Sequence, residues 1–126
     1  LDHFSFISHV QGYPWKDSRI KEKTKQADLI INATPVGMYP FEDDSPLDLD
    51  FPVKKNLIAF DLIYNPQKTK FLEEARKKGI AIENGSRMLI YQAVESYKIW
   101  KNTQINEDFF IKSSEEVLHA SLFKRR

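Results

Sequence analysis

The segment from Ala27 to Met38 constrains the fold more than any other part of this chain. Its apolar run, Leu29 to Ile31, has no polar alternation, which is typical of a strand covered on both faces in a parallel sheet. A proline and Gly37 end the strand and predict a turn in which the backbone comes close to a ligand. Because the carboxyl ends of parallel strands face the ligand crevice, Asn32 and Thr34 are predicted to present hydrogen-bonding groups there.

Two later blocks have the same organisation. The block from Asn56 to Pro66 is an apolar strand that ends in Asp, Tyr, Asn and Pro. The block from Ile80 to Gln92 runs from a short strand through Asn-Gly into a helix. Strands that alternate with helices in this way indicate an α/β protein with a parallel sheet.

Capping residues and apolar periodicity predict four helices. A short polar helix ends at Gln26 and has Asp17 or Ser18 as its N-cap, and a second helix covers Thr69 to Lys78. A third covers Ser86 to Lys101, and a last one begins at the capping box of residues 113–116. A further strand is predicted near the N-terminus, from Phe4 to Ile7.

The three blocks, in this order and spacing, resemble the C-terminal half of shikimate dehydrogenase. That family carries NATPVGM, DLIYNP and NGLGML followed by Gln; here the corresponding stretches are Asn32 to Met38, Asp61 to Pro66 and Asn84 to Gln92. The resemblance implies a Rossmann-like parallel sheet with flanking helices and a C-terminal helix. It also implies that residues 1–126 are the C-terminal part of a nucleotide-binding domain, whose N-terminal substrate domain lies outside this sequence.

The resemblance assigns candidate site residues. It implies that Asn32, Ala33 and Thr34 line an NADP cofactor and that Leu62 and Gly85 lie against its nicotinamide. It further implies that Tyr64 and Gln92 contact the substrate, shikimate or 3-dehydroshikimate. The acid–base Lys and Asp of the family have no counterpart here, so no catalytic residue is assigned.

Most of these residues also have a purely structural interpretation. Thr34 is equally suited to a strand end, Leu62 to core packing and Gly85 to a simple turn. Tyr64 and Gln92 have the alternative of an ordinary core or surface position. From the residues alone these alternatives stay open.

The sequence departs from the family pattern in two respects. Its 4 glycines, Gly12, Gly37, Gly79 and Gly85, include no pair separated by one residue, so the G-x-G turn that holds a pyrophosphate is absent from these residues. Arg87 stands where the family has its second glycine, and it either points to solvent or reaches toward an anionic group.

Composition narrows the remaining classes of function. A formal charge of +1 gives no reason to expect a nucleic-acid partner, and the absence of Cys excludes disulfides and thiolate chemistry. The 3 histidines are isolated, so no metal site is expected. No apolar run is long enough for a membrane span, so we expect a cytoplasmic protein.

Two functions are therefore weighed. The first is part of an NADP-dependent shikimate dehydrogenase, with NAD as cofactor or quinate as substrate left open and the isolated chain expected to be inactive. The second is a non-enzymatic half-domain that associates with itself as a homo-oligomer or binds a partner, because truncation exposes a sheet edge.

Overall fold

The computed structural model describes residues 9–102 and 104–123, the last two of them by backbone alone. At its centre is a 3-stranded sheet of β1 (Leu29–Asn32), β2 (Ile58–Asp61) and β3 (Ala81–Glu83), in the order β1-β2-β3. Both pairs of neighbouring strands are parallel. The predicted parallel α/β sheet is thus confirmed, and the predicted strand from Phe4 to Ile7 lies outside the described residues.

The helices follow the chain as α1 (Ser18–Gln26), α2 (Lys70–Lys77), α3 (Ser86–Lys101) and α4 (Glu107–Phe123). Local capping sets where the first two begin. The Thr69 side chain caps α2, and the Asp17 carboxylate caps α1 by accepting the Arg19 backbone N–H at 2.8 Å. The hydrogen-bonded Arg19 guanidinium, together with this N–H, lowers the pKa of Asp17 to about 2.

The predicted start of the last helix was wrong. Helix α4 begins at Glu107, because the Asn106 side chain accepts the Phe109 N–H at 3.1 Å and caps the helix there. Glu107 and Asp108 then place negative charge in the first turn, where the helix dipole favours it. The Ser and Glu residues of the predicted capping box lie inside α4, one turn or more from its start.

One face of the sheet carries the core. Ala59 of β2 is fully buried there beside the apolar side of α2, which contributes Phe71, Leu72 and Ala75. The long connection between β1 and β2 adds Leu49, Phe51 and Leu57 to the same cluster. Helix α2 therefore buries one side against the sheet.

The opposite face of the sheet is open within the described part of the chain. Leu29, Ile31 and Ile58 are 50%, 51% and 44% exposed. Side chains alternate between faces along a strand, and Leu29 is in register with Ile58, so these residues share one face. The expectation that β1 is covered on both faces is therefore wrong for the described residues, because the helix with extensive sheet contacts, α2, covers only the other face.

Candidate functional site

The three sequence motifs lie at the carboxyl ends of the three strands. Asn32 ends β1 and is paired in register with Asp61, which ends β2. β3 ends at Glu83, and Asn84 and Gly85 lead from it directly into α3. The parallel sheet thereby brings the three sequence motifs to one edge, as their positions predicted.

Asn32 uses its side chain inside the protein. It is 2% exposed, and its Nδ2 donates to the Val36 carbonyl oxygen at 3.0 Å and to Asp61 Oδ1 at 3.1 Å. Its Oδ1 accepts the Thr34 backbone N–H at 3.0 Å and the Thr34 hydroxyl at 2.7 Å. The amide therefore shapes the loop after β1, and the exposed Ala33 and Thr34 are the residues of this stretch open to a ligand.

A second buried group, Asp61, joins this loop to α2. Its Oδ1 also accepts the Ile63 N–H at 3.0 Å, and its Oδ2 accepts the Thr69 hydroxyl at 2.6 Å. Asp61 and Thr69 are 0% and 1% exposed. The sequence predicts Asp61 only as the polar end of a strand; the network is not predictable from local patterns because its partners are up to 29 residues apart.

Both the turn and the packing of this loop against Thr69 require a glycine at position 37. Its φ of +106° is in the region that favours glycine, and its N–H donates to the Phe41 carbonyl at 3.0 Å. A Cβ at this position would lie 3.1 Å from the Thr69 side chain. The close backbone approach predicted here is thus an approach to Thr69 of the same chain.

Gly85 and Leu62, both predicted to lie beside the nicotinamide, are in contact. The Gly85 N–H donates to the Ile63 carbonyl at 3.0 Å, and a Cβ built on Gly85 would collide with the Leu62 carbonyl oxygen. The φ of Gly85 is −75°, which any residue adopts. Glycine is required here because two backbone segments touch, and not because of its conformational freedom.

Both predicted substrate residues, Tyr64 and Gln92, are exposed. Tyr64 is 40% exposed and directly follows Ile63, while Gln92 is exposed on α3 about two turns beyond Gly85. Neither side chain forms a hydrogen bond to another of the described residues. Both are available to a ligand, which is what the predicted substrate role requires.

Arg87 points toward α4. Its Nε lies 3.5 Å from a carboxylate oxygen of Glu115, and its guanidinium also donates to the Tyr91 hydroxyl at 3.4 Å. The sequence left open whether Arg87 points to solvent or reaches an anionic group. In the structure its guanidinium reaches the Glu115 carboxylate of the same chain, and the Arg87 side chain remains largely exposed.

Other features of the described residues add no site. A cavity of about 450 Å³ lies between the start of α1 and residues 45–51, and one of about 410 Å³ lies between α3 and α4. Neither is lined by a predicted site residue.

Residues 9–102 and 104–123 contain no cluster of three or more His, Cys, Asp or Glu suited to a metal ion. None of the helices in this part of the chain has the length and apolar character needed to cross a membrane.

Comparison with known proteins agrees with this arrangement, although no family model matches the chain. The chain is 46% identical over 91 residues to shikimate dehydrogenase (NADP(+)) of Caldicellulosiruptor saccharolyticus, covering 71% of this chain and 33% of that protein. The chain therefore spans about a third of the length of this curated relative.

Two solved structures share the fold. Shikimate 5-dehydrogenase from Listeria monocytogenes, in complex with shikimate and NAD, gives a TM-score of 0.74 at 29% identity over 86% of this chain and 36% of that one. A chorismate mutase/shikimate 5-dehydrogenase fusion protein from Clostridium acetobutylicum gives 0.70 at 37% identity over 85% and 39%. By sequence and by fold, this chain is similar to a C-terminal part of shikimate dehydrogenases.

Proposed function

We propose that this chain is the C-terminal part of the nucleotide-binding domain of an NADP-dependent shikimate dehydrogenase. The complete protein, meaning the longer chain that contains these residues, reversibly reduces 3-dehydroshikimate to shikimate in chorismate biosynthesis in the cytoplasm, with no nucleic-acid or membrane partner. The observation that carries the proposal is the contact of Gly85 with the Leu62–Ile63 backbone. It joins two family motifs, one of which contains the exposed Tyr64 and the other of which leads to the exposed Gln92.

The described residues suit a nicotinamide cofactor at this edge of the sheet. A glycine at the start of α3 leaves no side chain between the Leu62 backbone and the helix, and Ala33 and Thr34 are exposed on the neighbouring loop. When bound, the nicotinamide supplies hydride transfer. The relative from Caldicellulosiruptor saccharolyticus carries NADP(+) in its name, whereas the Listeria structure contains NAD; our proposal is NADP.

The chain's own side chains would bind and orient the substrate. The Tyr64 hydroxyl and the Gln92 amide can each donate and accept hydrogen bonds, which suits a ring that carries hydroxyls and a carboxylate. The proton-transferring Lys and Asp belong to the family's other domain by resemblance. The residues described here therefore position the reactants and are assigned no proton transfer.

We expect Tyr64→Phe and Gln92→Ala in the complete protein to weaken substrate handling far more than NADP binding. A lost hydrogen bond costs about 0.5–1.5 kcal/mol to a neutral group and ~1.5–3 kcal/mol to a carboxylate. The expected loss in kcat/KM is therefore from about a few-fold to a hundredfold. Initial rates with 3-dehydroshikimate and a titration with NADP measure the two effects separately.

The matched controls are Tyr97→Phe, on the side of α3 that contacts α4, and Gln26→Ala, at the exposed end of α1. Both should leave kcat/KM within about twofold of the wild type. The assignment is wrong if the Gln92 variant binds NADP much more weakly while its KM for 3-dehydroshikimate and its kcat at saturating cofactor are unchanged.

A second candidate is a non-enzymatic module that associates with itself. It is favoured by the apolar patch of Leu29, Ile31 and Ile58 on the open face of the sheet, since exposed apolar surface promotes association. Sedimentation of the 126-residue chain should then show dimers or larger species. Ile31→Glu should shift them toward monomer, whereas Ile99→Glu, at a 77% exposed position on α3, should not.

A monomer at all concentrations up to roughly a millimolar would argue against this second candidate. The reading frame upstream of Leu1 discriminates between the two functions. A Gly-rich turn and a Lys-bearing domain in frame favour the enzyme.

A further inference from the structure

We infer that Asp61 is a positioning residue, which holds the crevice loops in register through hydrogen bonds and thereby sets the positions of Gly85 and Tyr64. This inference deepens the proposed function and rests on it for its kinetic consequences. The observation behind it is that a fully buried carboxylate accepts hydrogen bonds from three separate segments: Asn32, Ile63 and Thr69.

The three groups that bond to the Asp61 side chain are all donors, so they match a carboxylate and no other side chain of this size. Asn32 Nδ2, the Ile63 N–H and the Thr69 hydroxyl all donate to Asp61. An ionised carboxylate only accepts, so both of its oxygens suit this environment. A carboxamide has one accepting oxygen, and its NH2 group would have to face at least one of these donors.

The cap of α2 determines that the Thr69 hydroxyl donates to Asp61. Thr69 caps α2, and its Oγ1 accepts the Leu72 N–H at 3.4 Å. That bond leaves the hydroxyl hydrogen to donate to Asp61 Oδ2 at 2.6 Å. The carboxylate is thereby placed near the positive end of the α2 dipole, where negative charge is favoured.

Two hydrogen bonds connect Asp61 with the start of α3. Asp61 Oδ1 accepts the Ile63 N–H, and the Ile63 carbonyl accepts the Gly85 N–H, each at 3.0 Å. Ile63 is therefore held from both sides, and Tyr64 is the next residue. A change at Asp61 is expected to move the peptide against which Gly85 packs, and with it the exposed Tyr64.

Asp61 also reaches the loop that carries Thr34. It accepts from Asn32, whose remaining hydrogen bonds go to Val36 and Thr34. The loops after β1 and β2 and the start of α3 are thus connected through one buried acceptor.

The experiment compares Asp61→Asn with the wild type in the complete protein, and Asp50→Asn, at an exposed position, is the matched control. Hydrogen exchange is followed at the Ile63 and Gly85 amides, with the Ala59 amide inside β2 as the internal reference. We expect exchange at the first two to rise about tenfold or more relative to Ala59, which is the effect of losing one charged hydrogen bond. The kcat/KM for 3-dehydroshikimate should fall by a similar factor at a temperature at which circular dichroism shows the variant folded.

A second pair of variants keeps the test valid if Asp61→Asn does not fold. Thr69→Ser retains the hydroxyl and should keep wild-type exchange and kinetics. Thr69→Val has the same shape without the hydroxyl and should reproduce the Asp61→Asn pattern in weaker form. A purely structural role would lower the melting temperature but leave kcat and KM of the folded protein unchanged.

The two readouts separate this inference from the proposed function. If the wild type does not reduce 3-dehydroshikimate, the proposed function fails, and the exchange rates still test the positioning role. The positioning role is overturned if Asp61→Asn or Thr69→Val leaves exchange at Ile63 and Gly85 at the wild-type ratio to Ala59. It is also overturned if exchange rises while kcat and KM of an active enzyme stay unchanged.

Discussion

Gly85→Val in the complete protein is expected to reduce NADP affinity and kcat together, with a loss of about a hundredfold or more in kcat/KM, the scale that a displacement of about 1 Å produces. A Cβ at residue 85 would collide with the carbonyl oxygen of Leu62, which is backbone and cannot rotate away. The start of α3 must therefore move away from the Leu62–Ile63 peptide and break the Gly85–Ile63 hydrogen bond. Gly85→Ala should show the same defects, because the first side-chain carbon already collides.

NADP titration and initial rates on the same samples measure this effect. The matched control is Gly79→Asn. A Cβ at Gly79 meets no atom within 4 Å, and asparagine tolerates the left-handed conformation found there, with φ of +76°. Gln92→Ala provides the contrast, since it should leave NADP affinity nearly intact. If Gly85→Val binds NADP as tightly as the wild type, the contact between Gly85 and the Leu62–Ile63 backbone no longer supports the proposed function.

The isolated chain of 126 residues is expected not to reduce 3-dehydroshikimate with NADPH above background. These residues contain no G-x-G turn for the pyrophosphate, and two of the glycines, Gly37 and Gly85, are enclosed by contacts within the chain. The Lys and Asp that the family uses for proton transfer also have no counterpart among them. Without cofactor binding and an acid–base group, the expected loss of turnover is complete.

The absorbance of NADPH over time, with purified chain and 3-dehydroshikimate, tests this prediction. The complete protein under the same conditions is the positive control, and NADPH with substrate alone gives the background. Steady turnover by the isolated chain would contradict the prediction and require a base among Tyr64, Asp61 and His9. Tyr64 would be examined first, because Asp61 is fully buried.

The secondary structure could be predicted where the deciding interactions are local. Helix α3 occupies the predicted Ser86–Lys101, and α2, Lys70–Lys77, lies within the predicted Thr69 to Lys78. Apolar runs located β1 and β2, and the motif spacing indicated the resemblance to shikimate dehydrogenases and the edge of the sheet that carries the site. The start of α4 was mispredicted because residues 113–116 form a local capping pattern, whereas the helix is capped by Asn106 and begins at Glu107.

The order of strands and helices, the parallel α/β class and the resemblance to shikimate dehydrogenases could be read from the sequence, since these depend on patterns within a few residues and on three motifs in register. The tertiary structure was needed to explain why Gly85 is a glycine, which face of the sheet is open among the described residues and which side chains Asp61 binds. Those answers depend on contacts between residues that are 8 to 29 positions apart, such as Thr69 with Asp61 and Asp61 with Asn32. Burial and hydrogen-bond partners at such separations arise only when the chain brings the segments together, and no local pattern encodes them.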